Sequence, residues 1–116
     1  MPKRDPKLLF EDILESVEKI ERYTHGLSFE GFEGNDLVID AVIRNFEIIG
    51  EASKNISEDL RRTHNELPWK RMIGFRNIAI HKYFEVDLET LWIVLKERLP
   101  EIKPVIQQII KILESK

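Results

Sequence analysis

Apolar positions recur every three or four residues through most of the chain, the spacing of one face of an α-helix. The first such stretch begins after Asp5 and Pro6, an N-cap residue with proline at the first helical position. Gly26 follows it as a stop signal. No segment shows the sustained apolar and polar alternation of a strand. The pattern therefore predicts an all-α protein. The apolar positions of this first helix are Leu9, Ile13, Val17, Ile20 and Tyr23.

Two further helices are predicted before the middle of the chain. Residues 27–35 form a short acidic stretch with glycines and an asparagine, so they are interpreted as a loop. A second long helix should run from about Asp36 to Asn55, and Ser57 should cap a short third helix. The inner side of the second helix is predicted to hold Leu37, Ala41, Val42, Ile49, Ala52 and Ile56.

The second half of the chain gives two more helical regions. Leu67-Pro68-Trp69 begins one of them, and Asp87 caps the last one, which Pro100 and Pro104 should kink or split. Residues 105–113 are apolar around much of the circumference, as expected for a central helix or one at a subunit interface. Together the helices predict an up-and-down bundle of about four long helices plus a short one, with residues 1–116 as a single domain.

Composition narrows the class of protein. The chain has 116 residues, of which 42% are hydrophobic, and this is enough apolar material for one core. The absence of cysteine excludes disulfides and thiolate metal sites. No secretory signal and no apolar run of membrane-spanning length are present, so we expect a soluble cytoplasmic protein. Glu47 and Glu51 could in principle hold a metal, but without a nearby histidine they favour a solvated face, and we expect no metal and no cofactor.

The charge pattern singles out one segment. Residues 67–84 contain no Asp or Glu, although the whole chain has a formal net charge of −3. The same segment carries the cations Lys70, Arg71, Arg76 and Lys82. A local basic segment in an acidic protein indicates a binding site for a polyanion. The overall acidity argues against broad nonspecific nucleic-acid binding. A solvated helix face is the alternative interpretation.

Within this segment lie the residue types of phosphate chemistry. Arg76 offers a permanent cation with a planar fork that matches phosphate oxygens. His81 can exchange protons near neutral pH, and Tyr83 adds a hydroxyl. These three side chains indicate phosphate chemistry on RNA that requires no metal.

The spacing on a helix leaves two arrangements open. At about 100° per residue, Arg76 and His81 lie about 140° apart around the axis, whereas Asn77 and His81 are neighbours. Asn77 could orient the imidazole while the long Arg76 side chain reaches round. Alternatively, two copies of the helix could face each other across a two-fold axis and form a composite site.

The chain resembles the HepT branch of the HEPN superfamily. Residues 76–83 fit the family signature Arg-x4-His-x-Tyr. The segments DPKLLFEDILESVEKIERYT, DAVIRNFEIIGEASKNI and LPWKRMIGFRNIAIHKYFEVDLETLWIVLKERLPEI are similar to the helices of that family in the same order. Lys82 stands where many relatives carry glycine.

The resemblance implies a small helical homodimer that acts as a ribonuclease toxin. It implies that Arg76 and His81 are the catalytic pair and that Asn77 supports the histidine. Lys70, Arg71 and Lys82 are then RNA-binding candidates. It further implies that a nucleotidyltransferase antitoxin of the MntA type attaches AMP to Tyr83 and silences the nuclease. A non-catalytic partner or substrate-presenting subunit of such a nucleotidyltransferase is the alternative.

Overall fold

The computed structural model describes residues 4–78 and 87–116, and every regular element within those ranges is helical. The predicted all-α, HEPN-like bundle is confirmed. Within the same ranges none of the helices is long and apolar enough to span a membrane. In chain order the elements are α1 (Pro6–Thr24), α2 (Phe29–Glu33), α3 (Asp36–Asn55), α4 (Glu58–Thr63), α5 (Trp69–Gly74), a 3₁₀ turn (Phe75–Asn77), α6 (Leu88–Ile93), a π-helical turn (Val94–Arg98) and α7 (Leu99–Glu114).

Side-chain caps begin the helices at the residues that the sequence indicated. Asp5 accepts a hydrogen bond of 2.8 Å from the Lys7 backbone N–H, and Ser57 accepts one of 3.2 Å from Leu60. Asp87 accepts one of 3.1 Å from Glu89 at the start of α6. Each cap satisfies a backbone donor that the first helical turn leaves without an internal partner. The predicted starts of these three helices are confirmed.

Helix α3 lies at the centre of the packing. It contacts α1 on one side, and α5 and the 3₁₀ turn on another, while α7 packs against α1. Phe10 of α1 and Phe46 of α3 are completely buried, as is Ile106 of α7. Burial of such side chains contributes about 1.5–3 kcal/mol each, so the packing of α1 against α3 and α7 supplies much of the stability of the bundle.

The predicted loop 27–35 is wrong in part, because it contains α2. Ser28 caps this short helix by accepting a hydrogen bond of 3.1 Å from Gly31. Phe32 is fully buried, and its ring centroid lies 5.1 Å from that of Trp92. A five-residue helix has little stability of its own. Burial of Phe32 against α6 therefore explains a helix that local sequence signals did not indicate.

The two prolines of the last region act differently. Pro100 follows the π-helical turn, whereas Pro104 lies inside α7 without ending it. A proline inside a helix leaves the carbonyl four residues earlier without its N–H partner. For Pro104 that carbonyl belongs to Pro100, and both residues are exposed, so water can satisfy it. The last region was predicted to kink or split at its prolines, and Pro104 does not split it, because α7 continues through that residue.

The inner side of α3 is predicted correctly at four of six residues. Val42, Ile49, Ala52 and the C-cap residue Ile56 are buried, whereas Ala41 is half-buried and Leu37 is 82% exposed. Leu37 is the second residue of α3, at the end of the helix, where helical spacing alone does not bring a packing partner.

Candidate active site around Arg76

The segment that carries Arg76 is anchored at its beginning by Trp69. The indole Nε1 donates a hydrogen bond of 2.9 Å to the His64 carbonyl, and the ring meets Phe10 edge-on at 6.0 Å between centroids. Because the buried indole N–H has a hydrogen-bond partner, its burial leaves no unsatisfied donor. The start of α5 is thus fixed against α1, and core packing is the role of Trp69.

After α5 the backbone tightens into the 3₁₀ turn, with Arg76 at its centre. A 3₁₀ turn has three residues per turn and rises more steeply than an α-helix. The ideal α-helical spacing assumed for the motif therefore does not hold through Arg76 itself. Phe75, the first residue of the turn, packs edge-on against buried Phe46 at 4.9 Å, which ties this turn to α3.

The backbone of Arg76 approaches α3 at Gly50. A Cβ atom placed on Gly50 would overlap the Arg76 backbone nitrogen and would lie 2.9 Å from the Arg76 Cα. Only glycine leaves room for this approach, since the atoms in the way are backbone and cannot rotate aside. The position of Arg76 relative to α3 therefore depends on the missing side chain at residue 50.

The next residue of α3 contacts the Arg76 side chain. Glu51 Oε2 lies 3.3 Å from Arg76 Nε, with the side chains 57% and 35% exposed respectively. Since both groups reach solvent, the pair contributes at most about 1 kcal/mol to stability. Its main effect is on where the guanidinium lies.

Arg76 forms part of the wall of a cleft of about 470 Å³ between α1 and α3, called here the Arg76 cleft. Three arginines and three carboxylates line it, together with a few apolar side chains. The charged residues are Arg4, Asp12, Arg44, Glu47, Glu51 and Arg76. The cleft is large enough for a nucleotide-sized group.

The other two arginines of the cleft are also paired. Arg4 Nε lies 2.8 Å from Asp12 Oδ2, and its hydrogen bond with Asp12 raises the pKa of Arg4. Arg44 Nη1 lies 4.0 Å from Glu47 Oε1 and its side chain is 69% exposed. Arg44 is therefore the more loosely held of the two.

Two of the predicted RNA-binding cations, Lys70 and Arg71, do not line the Arg76 cleft. Both are exposed on α5. Arg71 lines a separate groove of about 290 Å³, together with Phe75 and Arg98. Arg71 and Arg76 therefore line different clefts.

Three predicted site residues lie outside the described residues: His81, Lys82 and Tyr83. Asn77, the predicted support of His81, is exposed at the end of the 3₁₀ turn. Over the described ranges, no cluster of three or more His, Asp or Glu side chains could hold a metal ion.

Sequence reasoning missed two arginines that line the Arg76 cleft, Arg4 just before α1 and Arg44 in α3, and it assigned Glu51 to a solvated face. Arg4 and Arg44 lie far from the motif along the chain, so only the packing of α1 on α3 brings them near Arg76. Glu51 follows Gly50, the glycine that Arg76 approaches. A glycine inside a predicted helix is a signal of close backbone approach that could have indicated this contact.

The chain matches a family of known proteins. The model of the family "Ribonuclease HepT-like" matches residues 13–109. The chain is 47% identical over 103 residues to "Putative RNase MJ1380" of Methanocaldococcus jannaschii, covering 89% of this chain and 94% of the relative. It is 48% identical over 101 residues to "Probable ribonuclease HepT" of Thermococcus cleftensis, covering 87% and 92%. No solved structure gave a significant match. This chain belongs to the HepT-like ribonuclease family.

Proposed function

We propose that this chain is an RNA endonuclease that works without a metal, and that it is the toxin of a toxin–antitoxin pair. Membership of the HepT-like ribonuclease family and the names of the relatives support the nuclease. The single observation that carries the proposal is the position of Arg76. Its side chain is about one-third exposed at the wall of a cleft, where a phosphate can reach it.

In the proposed reaction the 2′-hydroxyl of the RNA attacks the adjacent phosphorus, and the 5′-oxygen of the next nucleotide leaves. His81 takes the proton of the attacking hydroxyl, and the resulting imidazolium gives a proton to the leaving oxygen, so the net proton count is unchanged. Arg76 stabilises the negative charge on the equatorial oxygens. Asn77 supports the imidazole, and Lys70, Arg71 and Lys82 bind flanking phosphates.

Substitution of the catalytic pair tests this proposal. Arg76→Ala and His81→Ala should each reduce RNA cleavage by about 10²–10⁴-fold, because each removes a transition-state group. Arg62→Ala is the matched control, since Arg62 is an exposed arginine of α4 that pairs with Asp59. Cleavage should continue in EDTA.

Two results would contradict the proposal of a metal-independent nuclease. Cleavage by His81→Ala at the parental rate, combined with inhibition of the parent by EDTA, would show a metal-dependent reaction. A parent that cleaves no RNA would favour the alternative, a non-catalytic partner of a nucleotidyltransferase.

The proposed control point is Tyr83. A cognate nucleotidyltransferase antitoxin of the MntA type would transfer AMP from ATP, with the tyrosine oxygen bonding to the α-phosphorus and pyrophosphate leaving. The attached phosphate brings negative charge seven residues from Arg76 along the chain. It would compete with RNA for that cation, which gives a physical reason for silencing.

Mass spectrometry tests the modification. Incubation with the antitoxin and ATP should add mass in AMP steps at Tyr83 and abolish cleavage. Tyr83→Phe should remain a nuclease and resist silencing, since the ring is kept and only the acceptor oxygen is lost. A label on another residue with Tyr83 untouched would end this part of the proposal.

A further inference from the structure

We infer that Glu51 is a positioning residue for cleavage: it holds the Arg76 guanidinium so that its outer N–H groups face the phosphate. The inference rests on the proposed nuclease function. It assigns a role to a carboxylate that lies outside the motif by sequence and touches the motif arginine in space.

The geometry of the contact leaves the binding fork free. Guanidinium has five N–H donors, of which one lies on Nε and four on the two Nη atoms. Glu51 Oε2 approaches Nε at 3.3 Å. A carboxylate on the Nε side leaves the Nη groups available for the paired contacts that arginine makes with phosphate.

Arg76 is then constrained at both ends by consecutive residues of α3. Gly50 admits the Arg76 backbone, and a Cβ there would lie 2.9 Å from the Arg76 Cα. Glu51 contacts the far end of the same side chain. Arginine has several rotatable side-chain bonds, so a fixed backbone alone would leave the guanidinium able to adopt many rotamers. The second contact reduces that freedom before substrate arrives, which is how positioning raises a rate.

The chain contains a matched control one turn earlier on the same helix. Glu47 also lines the Arg76 cleft, but it pairs with Arg44 at 4.0 Å. Glu47 and Glu51 therefore share helix, cleft and charge, and differ in the arginine that they contact. A general effect of lost negative charge in the cleft would appear in variants of both, whereas positioning of Arg76 depends on Glu51 alone.

A competing explanation gives the opposite kinetic result. If Glu51 only neutralises Arg76, RNA must displace it, and its removal would tighten RNA binding and leave kcat unchanged. If Glu51 orients Arg76 for the transition state, its removal lowers kcat and kcat/KM together.

The kinetic experiment compares Glu51→Gln with Glu47→Gln on an RNA substrate. We expect kcat of Glu51→Gln to fall about 10–100-fold with little change in KM, the range expected for a misplaced catalytic group. Glu47→Gln removes the same charge from the cleft without removing a contact to Arg76, so its loss of kcat should be much smaller than that of Glu51→Gln. The urea unfolding midpoints of both should match the parent, since the Glu51 and Arg76 side chains are 57% and 35% exposed. Glu51→Asp, which keeps the charge on a shorter side chain, should recover part of the lost kcat.

A double-substitution comparison adds specificity. In an Arg76→Ala background, Glu51→Gln should cause no further loss, because the residue it positions is gone. A further loss of the same size in that background would mean that Glu51 acts by another route and would overturn the inference.

A readout that does not need activity separates this inference from the proposed function. The ¹H–¹⁵N signal of Arg76 Nε should shift and exchange faster with water in Glu51→Gln, and should be unchanged in Glu47→Gln. An unchanged signal in Glu51→Gln would show that the pair is absent in solution.

An inactive parent would defeat the nuclease proposal and the catalytic part of this inference together. An active parent with a fully active Glu51→Gln variant would defeat the inference alone.

Discussion

A side chain larger than hydrogen at residue 50 would occupy space that the Arg76 backbone fills. The close approach joins the centre of the bundle to the arginine of the motif. The effect of a substitution at Gly50 on stability can therefore be measured separately from its effect on RNA cleavage.

Gly50→Ala should lower both stability and cleavage. The added methyl group would overlap the Arg76 backbone nitrogen, so the 3₁₀ turn must move away from α3. Overpacking of this kind costs about 1–3 kcal/mol. Urea unfolding followed by circular dichroism measures the loss, and RNA cleavage measures the displacement of Arg76.

The matched control is Gly74→Ala at the end of α5. A Cβ there meets no atom within 4 Å, and its backbone is in the right-handed helical region with φ −63°. Alanine should therefore be neutral or stabilise by about 0.5–1 kcal/mol. Equal losses in the two variants would mean that Gly50 is not a special contact.

At the scale of elements, a side-chain cap fixes the start of α6, the first described helix after the motif. Asp87 accepts a side-chain hydrogen bond of 2.6 Å from Thr90 and backbone hydrogen bonds from Thr90 and Glu89. The Thr90 hydroxyl, followed by its backbone N–H, lowers the pKa of Asp87 below the ordinary 3.8. The folded chain therefore favours the ionised cap.

This cap predicts an acid-dependent part of the stability. Because the folded pKa is lowered, the contribution is complete above the unfolded pKa and is lost as pH falls through the lower folded value. Asp87→Asn should remove this dependence, since asparagine still accepts from the backbone but does not titrate near that pH. Urea unfolding between about pH 5 and about pH 2 measures it. Thr90→Val should shrink the dependence, and an unchanged acid profile in Asp87→Asn would contradict the assignment.

The long elements could be predicted from sequence because their signals are local. The Asp5 and Ser57 caps mark helix starts, and regular apolar spacing marks the buried faces of α1 and α3. The short helix α2 could not be predicted, since its stability comes from Phe32 packing against Trp92 of α6. The π-helical turn before Pro100 was not predicted either.

The candidate site divides in the same way. The motif identified Arg76 because its residues lie within eight positions of the chain and resemble a family signature. It could not identify Glu51 or Arg44, whose relation to Arg76 exists only after α3 packs against the 3₁₀ turn. Glycine at residue 50 was visible in the sequence, but the atom it must accommodate belongs to a residue 26 positions later.

For the whole molecule, the two-fold dimer remains a prediction. From the sequence it follows from the 140° separation of Arg76 and His81 on an ideal helix and from the apolar last helix. Because the 3₁₀ turn at Arg76 departs from that ideal spacing, the apolar last helix now carries the prediction. Helix α7 buries Ile106, Ile109 and Ile110, yet Ile112 is 37% exposed. Sedimentation at micromolar concentration should give a dimer. A stable monomer that cleaves RNA at the full rate would exclude the composite site.

The close contact at Gly50 also offers an experimental control over the proposed toxin. A substitution there strains the contact between α3 and the 3₁₀ turn and changes no polar side chain of the motif. Gly50→Ala is therefore a candidate conditional allele, with its cleavage machinery assembled at low temperature and displaced on warming. Cells could then carry the gene of the proposed toxin at the restrictive temperature without the proposed antitoxin. Growth arrest after a downward shift would then report the time course of RNA cleavage in vivo.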